Sequence, residues 1–99
     1  MIFSFHPAAE GEYFEAANFY KNHSVKVSES FIFEIEKGIQ QILDNPLAWA
    51  EVEPGIRRYL VRRFSFAIYY RIKEERIQIM AVVHFNKRPV SYKNRIGDK

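Results

Sequence analysis

Arg57-Arg-Tyr-Leu-Val-Arg-Arg-Phe64, Phe66-Ala-Ile-Tyr-Tyr-Arg-Ile-Lys73 and Arg76-Ile-Gln-Ile-Met-Ala-Val-Val-His84 follow one another with almost nothing between them. β-Branched and aromatic residues dominate each run, and the runs alternate in character, as a strand with two unlike faces does. The links are Ser65 at one bend and Glu74-Glu75 at the next. They are too short for a crossover, so the three strands must be antiparallel neighbours in a meander.

Upstream, Leu47 to Gly55 reads as a connecting loop, entered at Asp44-Asn45-Pro46 because the residue before proline is pushed out of the helical region. Before it, Val27, Phe31, Ile35, Ile39 and Ile42 recur at helical steps, with Ser24 or Ser28 available as the N-cap. Asn22-His23-Ser24 separates this stripe from an earlier one at Ala9, Tyr13, Ala16 or Ala17 and Tyr20. Pro7 suits the first turn of that earlier helix, and Glu10, Glu12 and Glu15 read as its solvent face, near the end where acids favour the helix dipole. Phe3 and Phe5 alternate ahead of Pro7 and mark a first strand. Beyond His84, Pro89 opens a short terminal helix before a polar tail.

The resulting order is β-α-α-β-β-β. It specifies an α+β fold in which a helical hairpin packs on one face of a small antiparallel sheet, the other face stays open, and a short C-terminal helix or tail follows. Residues 1–99 form a single domain in this reading, since about 100 residues build one core. With 47% hydrophobic and 16% aromatic residues, that core needs no metal or disulfide. The absence of cysteine removes thiolate zinc sites and cysteine nucleophiles, and it fits the reducing cytoplasm. No apolar run approaches the ~20 residues that span a bilayer, and the N-terminus lacks the pattern of a signal peptide. The expectation is a cytoplasmic protein without membrane contact.

The net charge of +3 conceals an asymmetry. Up to Ile56 there are three lysines (Lys21, Lys26, Lys37) and nine acids, a balance of −6. From Arg57 onward there are twelve Lys or Arg against Glu74, Glu75 and Asp98, a balance of +9. Such a field draws polyanions or an acidic protein from a distance and weakens with added salt.

Arg57, Arg58, Arg62 and Arg63 crowd into seven positions. Strand alternation puts Arg57 and Arg63 on one face and Arg58 and Arg62 on the other, so at least one pair meets solvent or a ligand. A guanidinium offers a rigid fork to phosphate or carboxylate, which makes the cluster a candidate for nucleic-acid or target binding. The bland alternative for any one of them is a charged strand that discourages edge pairing. A second constellation, His84, Arg88, Tyr92 and Arg95, runs from the last strand into the tail. A histidine moves protons near neutrality, arginine stabilises a developing phosphorane, and tyrosine stacks or acts as a weak acid or base; together they suit RNA cleavage by 2′-OH attack. Against this stand a backbone-bonded strand-end role for His84 and a packing role for Tyr92. Of Tyr69 and Tyr70, one is expected in the core and the other exposed. His6, His23 and His84 have no ligand spacing, so neither a metal nor a cofactor is expected, and no phosphate loop, serine elbow or paired-carboxylate motif is present.

Ala16-Ala-Asn-Phe-Tyr20, the Pro46 loop, Gly55-Ile-Arg-Arg58, Arg63-Phe-Ser-Phe-Ala-Ile-Tyr-Tyr-Arg71 and Ile79-Met-Ala-Val-Val-His84 with Arg88-Pro89 and Arg95, in this order of elements, resemble the RelE/ParE toxins of type II toxin-antitoxin systems over nearly the whole chain. The resemblance implies a growth-arresting toxin held by a cognate antitoxin in a hetero-oligomer, whose partly disordered acidic segment folds across the basic half. RelE-like members are ribosome-dependent mRNA endoribonucleases, and ParE-like members share the fold but poison DNA gyrase without an RNase site. In the RelE-like case, catalysis would fall to His84, Arg88 and Tyr92. An RNase-like member would usually carry an arginine close to Ala67, and its absence here turns the expectation toward ParE-like gyrase inhibition. In that case Arg57, Arg58, Arg62, Arg63 and Arg95 form a target-binding surface. The alternatives are the endoribonuclease and a diverged, non-toxic protein that binds an antitoxin or nucleic acid.

Overall fold

The computed structural model describes residues 2–85 and 94–97. Strand β1 (Ile2–Phe5) leads into helix α1 (Pro7–Lys21) and helix α2 (Val25–Asp44). Then come β2 (Glu51–Glu53), β3 (Ile56–Val61), a 3-10 turn at Arg63–Ser65, β4 (Phe66–Lys73) and β5 (Arg76–His84). The five strands lie in the order β1-β5-β4-β3-β2.

The helix boundaries follow from local chemistry. Pro7 opens α1, and the Nδ1 of His6 accepts from the Ala8 amide at 3.1 Å, so a histidine serves as the cap. Ser24 caps α2 by accepting from the Val27 amide at 3.3 Å. Ser28, the other candidate cap, lies buried and donates to the Ala17 carbonyl at 2.8 Å, pinning the two helices together. The α2 stripe of Phe31, Ile35, Ile39 and Ile42 fills the core against Ile68, Tyr70, Ile77 and Ile79 of the sheet. Gly38 lets α2 sit close to β3: a Cβ there would lie 2.8 Å from the Tyr59 ring and 3.1 Å from Ile68.

The α+β order and the helical hairpin on one sheet face are as the sequence indicates, and the sheet adds two details. The stretch read as a loop from Leu47 to Gly55 contains β2, which pairs with β3 through Glu51 opposite Arg57 and Glu53 opposite Ile56. Three residues, two of them acidic, give no strand signal of their own; pairing with β3 creates the strand. The sheet is also mixed, since β1 runs parallel to β5 while the other pairs are antiparallel. A pair of helices after β1 allows the crossover that a tight turn does not.

Two further expectations are corrected. The sheet face away from the helices is not open: Ile56, Ala67, Tyr69, Met80, Ala81 and Val83 form a second cluster on it, each at most 5% exposed. The chain end contributes here, with Arg71 donating to the Ile96 carbonyl at 2.9 Å. Tyr69 and Tyr70 do occupy opposite faces, but both are buried, because each face has its own core; the Tyr70 hydroxyl donates to the Pro46 carbonyl at 2.6 Å. The short terminal helix expected from Pro89 falls largely outside the described residues.

A bulge in β5 lets it serve both faces. Tyr70 pairs with Ile79 and Tyr69 with Ala81, leaving Met80 as the extra residue. Ile77 and Ile79 point to the helices before it and Val82 does so after it, while Met80, Ala81 and Val83 fill the far side.

Candidate functional site

Strand β3 ends at Val61, earlier than the run to Phe64 suggests, so alternation divides Arg57 from Arg58, whereas Arg62 and Arg63 enter the 3-10 turn. Arg57 turns to the helix side, where it closes the loop before β2: its Nη1 donates to the Trp49 carbonyl at 2.6 Å and the Leu47 carbonyl at 3.4 Å, and its Nη2 pairs with Glu51 at 3.3 Å. Arg63 leans toward Glu34 of α2 at 4.0 Å and lies over the Phe64 ring, 5.4 Å from its centroid, with most of its side chain in solvent. Arg58 stands opposite Tyr69 on the far face, and Arg62 follows the end of β3; both are exposed. Among the described residues, neither of their guanidinium groups forms an ion pair or donates a hydrogen bond, which sets them apart from Arg57, Arg63, Arg71 and Arg95. Arg58 and Arg62 line one groove with Trp49, Val52 and Leu60.

The second constellation comes together only in part. His84 ends β5, half-buried and edge-on to Phe66, with ring centroids 5.7 Å apart. It borders an open groove of about 400 Å³ that Glu12, Glu15 and Phe19 of α1 also line. Arg95 is 12% exposed and is held by internal acceptors: Nη1 and Nη2 reach the two Glu12 carboxylate oxygens at 2.9 and 2.8 Å, and Nη1 also reaches the Met80 carbonyl at 2.8 Å. Arg88 and Tyr92 lie outside the described residues.

Sequence reading missed Glu12 and Trp49. Glu12, assigned above to a solvent face, accepts from the Val82 amide at 3.0 Å besides gripping Arg95. β1 ends at Phe5, so β5 loses its parallel neighbour after Ile79; Glu12 and Arg95 satisfy the Val82 amide and the Met80 carbonyl beyond that point. No spacing signal could reveal a contact between residues so remote in sequence. Trp49 packs edge-on to Tyr59 with centroids 4.9 Å apart, which places the indole at the β2–β3 edge.

The tyrosines with perturbed acidity are not proton carriers at neutral pH. Burial, aided by Glu36, pushes the Tyr13 phenol up to about 12. Tyr59 is raised by burial and by Glu34, and Tyr70 by burial against an opposing effect of Arg57. Among the described residues, no cluster of His, Asp and Glu could hold a metal ion, and no helix is long and apolar enough to cross a membrane.

This geometry accompanies a match to a known family. Residues 3–89 match the model for the ParE toxin of type II toxin-antitoxin system, parDE. The chain belongs to the ParE toxin family. No curated protein matches it. Membership in the ParE family implies a cognate antitoxin as partner.

Proposed function

We propose that this ParE-family toxin arrests growth by binding DNA gyrase, with the arginine-bearing far face of the sheet as the contact surface. The observation that carries the reading is the fate of Ala67, close to where an RNase-like toxin would carry an arginine. It is 2% exposed and belongs to the apolar cluster of the far face, so no phosphate-stabilising side chain projects there. Inhibition by binding requires no such group. Arg57 and Arg95 are spent on internal carbonyl and carboxylate acceptors, which leaves Arg58 and Arg62, with the largely exposed Arg63, to meet a partner. The cognate antitoxin would neutralise the same basic half with an acidic amphipathic segment that folds on contact, in a toxin-antitoxin hetero-oligomer.

Supercoiling by purified gyrase in the presence of the antitoxin-free protein tests the reading. The wild type and His84→Ala should both inhibit, and Arg58→Ala/Arg62→Ala should need several-fold more protein. Uninhibited supercoiling with folded wild-type protein would exclude gyrase as the target.

One observation favours the ribosome-dependent endoribonuclease as a second reading: His84 is half-buried at the rim of an open groove, where an imidazole can exchange a proton with a substrate. It requires message cleavage on programmed ribosomes that disappears in His84→Ala or Arg88→Ala.

A further inference from the structure

The groove at the β2–β3 edge sets an indole beside the two arginines assigned above to the target surface. It encloses about 390 Å³, and Arg58 and Arg62 line it together with Trp49, Val52 and Leu60. Among the described residues, no carboxylate lines it. Four other arginines are matched to acceptors within the chain: Arg57 to Glu51 and two carbonyls, Arg63 to Glu34, Arg71 to Gln78 and the Ile96 carbonyl, Arg95 to Glu12. Arg58 and Arg62 are not matched among the described residues, although Glu51 and Glu53 lie on the neighbouring strand. Glu51 stands across from Arg57 and its carboxylate serves the helix side, and Val52 is the β2 residue that lines the groove.

We infer that this groove binds a single-stranded nucleic acid, with Arg58 and Arg62 on its phosphates and Trp49 against its bases. Spacing argues for a polymer rather than a lone phosphate. Three strand residues lie between the two arginines, which puts them about 13 Å apart along the chain, a span that takes in more than one phosphate of a nucleic-acid strand. The indole argues for nucleic acid over an acidic peptide. Poly-acidic chains need only the charges, whereas an aromatic surface beside paired arginines supplies the stacking that bases add and that tolerates any sequence. Tyr59, which also lines the groove, packs edge-on against the indole and holds it at the groove wall at little further entropic cost. Two further cations, Lys73 and Arg76, sit at the opposite end of the far face beside Ser4 and Gln78, where they strengthen the long-range field without touching the groove. The inference holds whether or not gyrase is the target.

Trp49 is the only tryptophan of the chain, so its fluorescence reports on this groove alone. The experiment titrates the full-length protein with a deoxythymidine dodecamer and, separately, with poly-glutamate of equal charge, at several salt concentrations. The dodecamer should quench Trp49 with a salt-dependent affinity. Arg58→Ala/Arg62→Ala should weaken binding at least tenfold and flatten the salt dependence by more than one phosphate's worth, while Arg76→Ala, which removes a charge outside the groove, should change affinity less than threefold. Circular dichroism checks that these exposed substitutions leave the fold intact. Three results would overturn the inference: no quenching by the dodecamer, equal or tighter binding of poly-glutamate, or a loss in Arg76→Ala as large as in the groove variants. The first would remove the site, the second would reassign it to an acidic protein segment, and the third would reduce it to diffuse charge. None of these bears on supercoiling inhibition, which is measured separately.

Discussion

Glu12 and Arg95 form a two-pronged ion pair, with oxygen–nitrogen distances of 2.8 and 2.9 Å, that ties the first helix to the chain end across the open edge of β5. Each partner also satisfies the strand, Glu12 at the Val82 amide and Arg95 at the Met80 carbonyl. The pair therefore stands in for the missing length of β1. Removing one side leaves a partly buried charge and an unsatisfied backbone group. Glu12→Ala should cost about 2 kcal/mol, and Arg95→Ala a similar amount. The double variant should lose less than the sum, because the two share one network. Chemical denaturation of the three proteins measures the coupling; strictly additive losses would mean the pair contributes nothing beyond its separate contacts.

Gly38 is required by packing rather than by backbone conformation. Alanine there improves helix propensity by about 1 kcal/mol. However, its Cβ would fall 2.8 Å from the Tyr59 ring, and overpacking of this kind costs about 1–3 kcal/mol. Gly38→Ala should lower the melting temperature by a few degrees. Because Tyr59 supports Trp49, it should also shift the tryptophan emission. A stabilised protein with unchanged emission would show that the ring moves aside freely.

The β4–β5 hairpin turns on Glu74 and Glu75, with φ of 52° and 61°. Two positive φ values match the twist of the strands, yet they are unfavourable for residues with a Cβ, by about 1 kcal/mol or more each. Glu74→Asn/Glu75→Gly should raise stability by about 1 kcal/mol and the melting temperature by several degrees. A decrease would indicate that the carboxylates beside Lys73 and Arg76 outweigh the strain.

Stability should fall in alkali. Tyr13 ionises near 10 when unfolded and at about 12 when folded, because burial and Glu36 disfavour the phenolate. The stabilising preference for the protonated form is fully present below pH 10 and is lost as pH rises from there to about 12. Tyr59 and Tyr70 are shifted in the same direction. Denaturation midpoints measured from pH 8 to 12 should decline above pH 10, and Tyr13→Phe should decline less steeply. Parallel profiles would assign the effect to other groups.

Much of the fold could be read from short-range pattern. The spacing of Phe31, Ile35, Ile39 and Ile42 gave a helix with its buried side already chosen, and Ser24 gave its start. The brevity of the Ser65 and Glu74-Glu75 links dictated an antiparallel meander. Alternation also separated Arg57 from Arg58, which is the division observed, but β3 ends before Arg62 and Arg63, whose placement the 3-10 turn decides. Alternation could not show which arginines would be consumed by internal acceptors. Arg57 finds carbonyls in a loop that has no pattern of its own, and Arg95, a candidate target residue by charge alone, finds a carboxylate in α1.

The sequence by itself determined the order of the elements, the buried face of α2 and the concentration of positive charge after Ile56. These rest on interactions between near neighbours: turn length, capping, and the helical and strand periods. Tertiary structure alone decided that β2 exists, that β1 joins in parallel, that the far face has its own core, and that Arg58 and Arg62 line one groove with Trp49. Each of these depends on which groups meet across the sheet. Glu12 and Arg95 are 83 residues apart, and the chain must fold before a carboxylate and a guanidinium at that separation can neutralise one another.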